Sequence, residues 1–259
     1  MEAKRILVTS GAGGVGKSSV AAHLASALAA GGKRVLLSDL CTTGRSLDLL
    51  TSLSSSLLYD LGDLICNRTD PSRILLPVEA HPGLFLLPGA FRLEYTPTHV
   101  EFVRALRLAE ETIDADYTIF DASLDGLARL AASVSDMTLL VSDISPASLR
   151  ATAEAALALP KDREARIVLN RFPIYPNLKT KIPPIKPYLD EIRLPLLGIL
   201  PDSLTLSERE TKGDGVSLLR ENLGVAYASL AKRIEGANAP LFMGWKKIKR
   251  RRLIRSLIG

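Results

Sequence analysis

The chain is poor in the residues that staple, ligate or span. Its 259 residues hold two cysteines, Cys41 and Cys66, too few for a disulfide framework. The three histidines, His23, His81 and His99, are scattered without metal-ligand spacing, and no Ser-His-Asp constellation can be argued from them. They read as structural. No apolar run approaches the roughly 20 residues that cross a bilayer. The chain enters a strand-like run at once, and no signal peptide is expected. There is no internal repeat and no low-complexity tract. Together these absences predict a cytoplasmic protein. What remains is 47% hydrophobic and 24% charged, ordinary for a soluble globular chain. The length suits one large α/β domain or two small ones with ample core.

Acid is also missing from one end. Between Pro240 and Gly259 there is no Asp or Glu, whereas Lys246, Lys247, Lys249, Arg250, Arg251, Arg252 and Arg255 all fall there. The formal charge of +5 therefore comes from the tail, and the rest of the chain is slightly acidic. Such a tail seeks an anionic surface: membrane, nucleic acid or an acidic partner.

The most informative segment lies at the other end. Gly11 to Gly16-Lys17-Ser18 reads G-x-x-x-x-G-K-[ST]. The apolar run Ile6-Leu7-Val8 leads in, and an Ala-rich helical run from Val20 to Ala30 leads out. That is the context of a phosphate-binding loop. Glycines let backbone N–H groups turn inward around an anion, and the helix N-terminus adds partial positive charge. In this reading Gly11, Ala12, Gly13, Gly14, Val15, Gly16 and Ser19 belong to the nucleotide cradle. Lys17 reaches the β- and γ-phosphates, and Ser18 ligates Mg²⁺.

Strand and helix patterns alternate along the chain, predicting a mainly parallel sheet covered on both faces, a three-layer α/β/α fold. Strands are expected near 5–9, 34–38, 84–87, 116–120, 137–142, 166–169 and 196–200. Helices are expected near 17–30, 98–112, 125–132, 146–158, 204–211 and 216–234, with short helices within 42–80. Gly31-Gly32 stops the first helix and Ser145-Pro146 starts a later one. The proline-rich stretch 171–187 reads as an irregular surface segment. Asp39, Asp121, Asp143, Asn170 and Asp202 each follow an apolar strand. They share the carboxyl edge of the sheet, where ligands of such sheets bind. Asp121, about one hundred residues after the phosphate loop, has the type and position of a Walker B aspartate, which holds the Mg²⁺ hydration shell.

Several ordered segments together resemble the MinD/ParA family of P-loop ATPases, its MinD branch most closely. They are Ser-Gly-Ala-Gly-Gly-Val-Gly-Lys-Ser (10–18), Val-Leu-Leu-Ser-Asp-Leu-Cys-Thr-Thr-Gly-Arg-Ser-Leu-Asp-Leu-Leu (35–50), Tyr-Asp-Leu-Gly-Asp-Leu (59–64) and Pro-Gly-Leu-Phe-Leu-Leu-Pro (82–88). Asp-Ile-Ser-Pro-Ala-Ser-Leu-Arg (143–150), Val-Leu-Asn-Arg (168–171) and Leu-Gly-Ile-Leu-Pro-Asp (197–202) complete the set. The resemblance implies a P-loop ATP-binding domain over 1–239, ATP and Mg²⁺ as ligands, and an ATP-dependent homodimer with facing phosphate loops. It implies that Asn170 and Arg171 lie beside the adenine, and that Ser18, Asp39 and Asp121 serve the metal. It also implies a role in placing a protein partner, such as a septum-site complex. The remaining residues, 240–259, form a basic amphipathic tail. Its stretch 245–258 interleaves Trp245, Ile248, Leu253, Ile254, Leu257 and Ile258 with the seven cations. That composition suits the inner face of an anionic membrane. DNA is the rival surface, as for a ParA-like partitioning factor.

Three departures from the resemblance bear on chemistry. Ala12 stands where the family has a signature lysine that reaches the partner's phosphates. Cys41 stands where the second aspartate of an Asp-x-Asp pair, beginning at Asp39, orients the attacking water. The segment after Walker B reads Asp121-Ala122-Ser123-Leu124-Asp125-Gly126 and lacks the family's prolines. Among the residues tied to catalysis, Lys17 and Asp39 remain while Cys41 replaces a carboxylate. The expectation is ATP binding with weak or absent hydrolysis, unless Arg45, Asp48 or Asp125 compensates and the chain cycles as an ATPase.

Overall fold

The computed structural model describes residues 2–41, 44–91, 93, 95–123, 126–173, 186–203 and 221–241. Eight strands form one sheet: β1 (Lys4–Thr9), β2 (Val35–Asp39), β3 (Leu76–Pro77), β4 (Leu84–Leu87), β5 (Tyr117–Asp121), β6 (Met137–Ser142), β7 (Glu164–Phe172) and β8 (Leu196–Pro201). Their order is β3-β4-β2-β5-β1-β6-β7-β8, with β3 alone antiparallel, against β4. The phosphate-loop strand β1 thus lies between β5 and β6, near the middle of the sheet.

Both faces of the central strands are buried, which is why they read as continuous apolar runs rather than as alternation. Ile6 and Val8, Val35 and Leu37, and Tyr117 and Ile119 belong to one core. Leu7, Leu36 and Phe120 point into the other. The first core is covered by α1 (Lys17–Ala30) and by the last described helix, α9 (Glu221–Ile234). The second is covered by α3 (Leu61–Ile65), α4 (Pro71–Ile74), α5 (His99–Ile113) and α6 (Gly126–Val134). A smaller core around Ile167, Leu169, Phe172 and Ile199 lies under α7 (Pro146–Leu157) and α8 (Lys186–Ile192). The four-residue helix α2 (Leu47–Leu50) follows the loop after β2.

Helix ends follow their local chemistry. Helix α1 is rich in alanine and buried on most sides, since it is sandwiched between the sheet and α9. Gly31 closes it by donating to the Ala27 carbonyl, and Gly32 turns the chain with φ of 86°. Thr98 and Glu101 form a reciprocal capping box on α5. Ser145 caps α7, with Pro146 in its first turn.

All seven expected strands are present. The eighth, β3, pairs over two residues only and carries no periodicity to read. The short helices within 42–80 are there. The reading of 171–187 as irregular needs correcting at both ends: Arg171 and Phe172 belong to β7, held in the sheet by pairing with β8, and α8 begins at Lys186, with Pro187 in its first turn, where a missing N–H costs nothing; 174–185 lie outside the described residues. The helix expected at 204–211, the first part of the one expected at 216–234, and the tail 245–258 lie outside the described residues. Among the described residues no helix is long and apolar enough to cross a membrane. The chain as far as Pro240 is tied to α9, through Arg233 Nη1 to the Ala239 carbonyl (2.6 Å) and Ser229 Oγ to the Pro240 carbonyl (2.6 Å).

Candidate functional site

The loop after β1 opens at the carboxyl edge of the sheet. Gly14 and Gly16 take φ of 75° and 86°, the left-handed region that side chains avoid. At Gly16 space is equally restrictive: a Cβ there would sit 2.5 Å from Asn170 Nδ2. That amide donates to the Val15 carbonyl at 2.9 Å. Gly11 is pressed against α7, where a Cβ would lie 2.1 Å from the Ala151 carbonyl oxygen. The loop's shape is therefore held from both sides by neighbouring elements.

A bulge in β7 makes the Asn170 contact. Leu169 pairs with Ile199 and Phe172 with Pro201, so Asn170 and Arg171 together oppose Leu200. Arg171 takes φ of 51° there. The bulge re-aims two consecutive side chains towards the loop. Asn170 ends up buried against the loop backbone, and Arg171 is exposed at the cleft rim.

The floor is set by strand register. Asp39 and Asp121 are direct neighbours across β2 and β5, two carboxylates at one level of the sheet. They are 2% and 0% exposed. The Lys17 ammonium donates to Asp121 Oδ1 and lies 3.1 Å from Cys41 Sγ. Asp39 Oδ1 accepts from the Cys41 N–H at 2.9 Å. Gly89, after β4, packs on Asp39 so closely that a Cβ would sit 3.1 Å from the Asp39 Cβ. Burial, followed by the neighbouring Asp121, pushes the Asp39 carboxyl up to about 6. The same two causes push the Cys41 thiol up. Burial works against the Lys17 charge, but attraction to Asp121 and then Cys41 outweighs it and holds the ammonium above its ordinary range.

Above this floor lies an open cleft of about 610 Å³, lined by residues of the phosphate loop together with Cys41, Gly44, Ser46, Leu49, Leu50, Ser123 and Arg171. The structure brings together Gly11, Ala12, Gly13, Gly14, Gly16, Lys17, Ser18, Ser19 and Cys41 on that cleft, with Val15 buried beneath. Asp143 does not join them. Its Oδ1 accepts from the N–H and Oγ of Ser145, shaping the entry to α7. Asp202 is held through its backbone N–H on the Phe172 carbonyl. Arg45 is committed structurally: Nη1 donates to the Gly89 carbonyl at 2.8 Å and the guanidinium lies over Phe91. Asp125 lies outside the described residues. Sequence reasoning missed Gly89, whose only signal is a Pro-Gly pair after a strand. It also missed Ser123 as a neighbour of Cys41, at 3.7 Å.

A glycine-shaped loop, an ammonium bonded to a buried carboxylate and a central parallel strand define a P-loop nucleotide-binding protein. Comparison with known proteins gives the particular family. Residues 6–216 match the CobQ/CobB/MinD/ParA nucleotide binding domain, and the chain belongs to that family. It is 31% identical to the septum site-determining protein MinD of Synechocystis, over 98% of each chain. Its fold is that of MinD in the MinC:MinD cell division protein complex of Aquifex aeolicus, with a TM-score of 0.82, 24% identity and coverage of 93% of this chain and 99% of that one. MinD of Pyrococcus horikoshii complexed with Mg-ADP superposes with a TM-score of 0.71 at 22% identity, covering 90% and 96%. The chain is thus a MinD-like member of a septum site-determining ATPase family.

Proposed function

We propose that this chain is a nucleotide-gated positioning protein that binds ATP with Mg²⁺, pairs with a second copy, and hydrolyses ATP slowly or not at all. The observation that carries this reading is the contact between Lys17 and Cys41. Where the family resemblance implies a carboxylate that orients water, there is a buried thiol held in its neutral form by burial and by Asp121. A neutral thiol is a poor base, and Ala12 brings no cation across a dimer interface. Ground-state binding needs neither. The loop glycines and Lys17 would take the phosphates, Asn170 would keep the loop in shape, and Arg171 would flank the base.

The metal donors fit. Ser18, Asp39 and Asp121 offer the hard oxygen atoms that Mg²⁺ takes, directly or through its waters. Bound there, Mg²⁺ would neutralise phosphate charge. Basic residues in 245–258 would hold the dimer to the inner face of an anionic membrane, two weak tails acting as one strong anchor. An as yet unidentified protein partner would dock on the nucleotide-bound form; the A. aeolicus MinD solved with MinC supports partner binding in such proteins.

Single-turnover hydrolysis tests this, with Mg²⁺ and anionic vesicles present and bound and released nucleotide followed together. The expected result is ATP retained intact on sedimenting protein. Restoring both groups, Ala12→Lys with Cys41→Asp, should raise the rate by roughly 10³-fold or more. Rapid ADP formation by the unaltered chain, abolished in Lys17→Ala, would instead establish a cycling ATPase. Failure to retain any ATP would remove nucleotide gating altogether.

A further inference from the structure

Lys17 and Asp121 are each claimed twice. In the structure they claim one another: the Lys17 ammonium donates to Asp121 Oδ1, with side chains 12% and 0% exposed. The ammonium also lies 3.1 Å from Cys41 Sγ. Lys17 lines the cleft, but the carboxylate it bonds does not, so the pair points down into the protein. The function proposed above claims both residues again, Lys17 for the phosphates and Asp121 for Mg²⁺.

Charge makes the two arrangements exclude one another. Breaking a buried ion pair from one side leaves the other charge uncompensated, which costs far more than keeping the pair or satisfying both halves. Were a phosphate to take the ammonium alone, Asp121 would be left fully buried, directly beside the Asp39 carboxylate across the β2–β5 register. Were a divalent cation to take Asp121 alone, it would face the ammonium, itself left against a thiol that burial keeps neutral. An anion for Lys17 and a cation for Asp121, arriving together, leave neither charge unpaired.

We propose, resting on the nucleotide-binding reading above, that the Lys17–Asp121 ion pair is an autoinhibitory latch. It resists metal-free nucleotide and nucleotide-free metal alike, and it opens to the metal–nucleotide complex. On opening, Lys17 leaves Asp121 for the phosphates, and Asp121 joins Ser18 and Asp39 in serving Mg²⁺. The latch thus selects the charge state of the ligand before any chemistry, and it does so without the cation that Ala12 lacks.

The test uses the full-length protein and reads binding, not turnover. A fluorescent ATP analogue is titrated in Mg²⁺ and again in EDTA. Mn²⁺, standing in for Mg²⁺, is titrated without nucleotide and followed by electron paramagnetic resonance. Mg²⁺ should tighten ATP by at least ~100-fold, the scale set by breaking a buried pair from one side. Asp121→Asn removes the latch from the acid side. It should bind metal-free ATP at least ~10-fold more tightly than the unaltered chain and lose the gain from Mg²⁺. Asp39→Asn removes the neighbouring carboxylate but keeps the bonded one, so it should move metal-free affinity less. Lys17→Met should bind Mn²⁺ without nucleotide at least ~10-fold more tightly than the unaltered chain. The comparison of Mg²⁺ with EDTA on the unaltered chain decides the matter even where a variant does not fold. ATP held as tightly in EDTA as in Mg²⁺ overturns the latch and spares the nucleotide reading. Equal gains in Asp121→Asn and Asp39→Asn, or Mn²⁺ held equally by Lys17→Met and the unaltered chain, do the same. Absence of ATP binding under every condition overturns latch and nucleotide reading together.

Discussion

Two buried charge clusters sit at opposite ends of the same central strands, and they are built for different ends. At the amino edge, Arg5 on β1 meets Glu110 on α5 through Nε (2.9 Å) and Nη2 (2.7 Å), and Thr118 Oγ1 donates to the same carboxylate at 2.7 Å. Arg5 and Thr118 are register partners across β1 and β5. Three residues further along these strands, roughly 10 Å away at the usual strand rise, lies the second cluster. There the Lys17 ammonium bonds Asp121 and touches Cys41, while Asp39 stands beside Asp121 as a second buried carboxylate. The first cluster is a matched fork with its hydrogen bonds satisfied. The second is short of positive charge until something else arrives. Both are buried and ionic, and each borders an open cleft, of about 480 Å³ beside Arg5 and Glu110 and about 610 Å³ above Lys17, so the difference between them is the balance of charge. The lesson is that burial of charge alone does not mark a site; an imbalance of charge beneath a cleft does.

Breaking the matched cluster should cost the most. Glu110→Ala leaves the Arg5 guanidinium buried without its main partner and is expected to lower unfolding free energy by about 3 kcal/mol or more, measured by urea denaturation. A loss within error would mean that Glu2, 3.2 Å from Arg5, suffices as a replacement.

Removing the single cation of the other cluster should instead strike binding. Lys17→Ala should weaken ATP by about 2–5 kcal/mol, at least ~30-fold in Kd, as titrated with a fluorescent analogue. Unchanged affinity would show that the phosphates do not recruit this ammonium.

The pH response sets Asp39 of the second cluster against His23 on the neighbouring helix. Asp39 is raised to about 6, so its stabilising contribution is full below pH ~4 and is lost as pH rises through 6. His23, on the phosphate-loop helix α1 and stacked on Tyr227 of α9, is lowered to about 4, chiefly by burial. Its contribution is present above pH ~6.5 and is lost as pH falls through 4. Each is worth about 3 kcal/mol and the two oppose, leaving a shallow profile for the nucleotide-free protein. Asp39→Asn should unmask the histidine, with stability rising by up to about 3 kcal/mol from pH 4 to 6.5 in denaturation curves. A profile still flat would mean that Asp39 is not the opposing group.

Asn170→Ala probes the loop support and should be mildest. It strips the Val15 carbonyl of its donor and should cost about 1–3 kcal/mol. Nucleotide affinity should fall while hydrolysis per bound nucleotide stays as it was. An affinity equal to that of the unaltered chain would make the Asn170 contact incidental to the loop.

Sequence legibility differed between the parts of the site for physical reasons. The strands could be read because a strand covered on both faces must be apolar throughout, as Ile6-Leu7-Val8 and Ile119-Phe120 are. The phosphate loop could be read because Gly14 and Gly16 adopt backbone angles that glycine takes at least cost. Asn170 could be placed on the right edge from its strand, but not its task, since that depends on a two-against-one bulge in β7. Asp143 and Asp202 look like Asp121 in sequence. Asp143 follows β6, which adjoins β1 just as β5 does, but its carboxylate is taken up by Ser145 at the entry to α7, while Asp202 follows β8, three strands from β1.

The sequence by itself determined a parallel α/β chain with a phosphate loop and an apolar strand ending in Asp121. These are local facts, written in apolar runs, glycines and residue types that need no distant partner. Only the tertiary structure decided that Asp39 and Asp121 stand side by side, that Cys41 touches the same ammonium, and that Arg45 is spent on the Gly89 carbonyl. Those depend on strand register and loop packing between segments up to about a hundred residues apart, where hydrogen-bond pairing rather than local preference fixes which atoms meet.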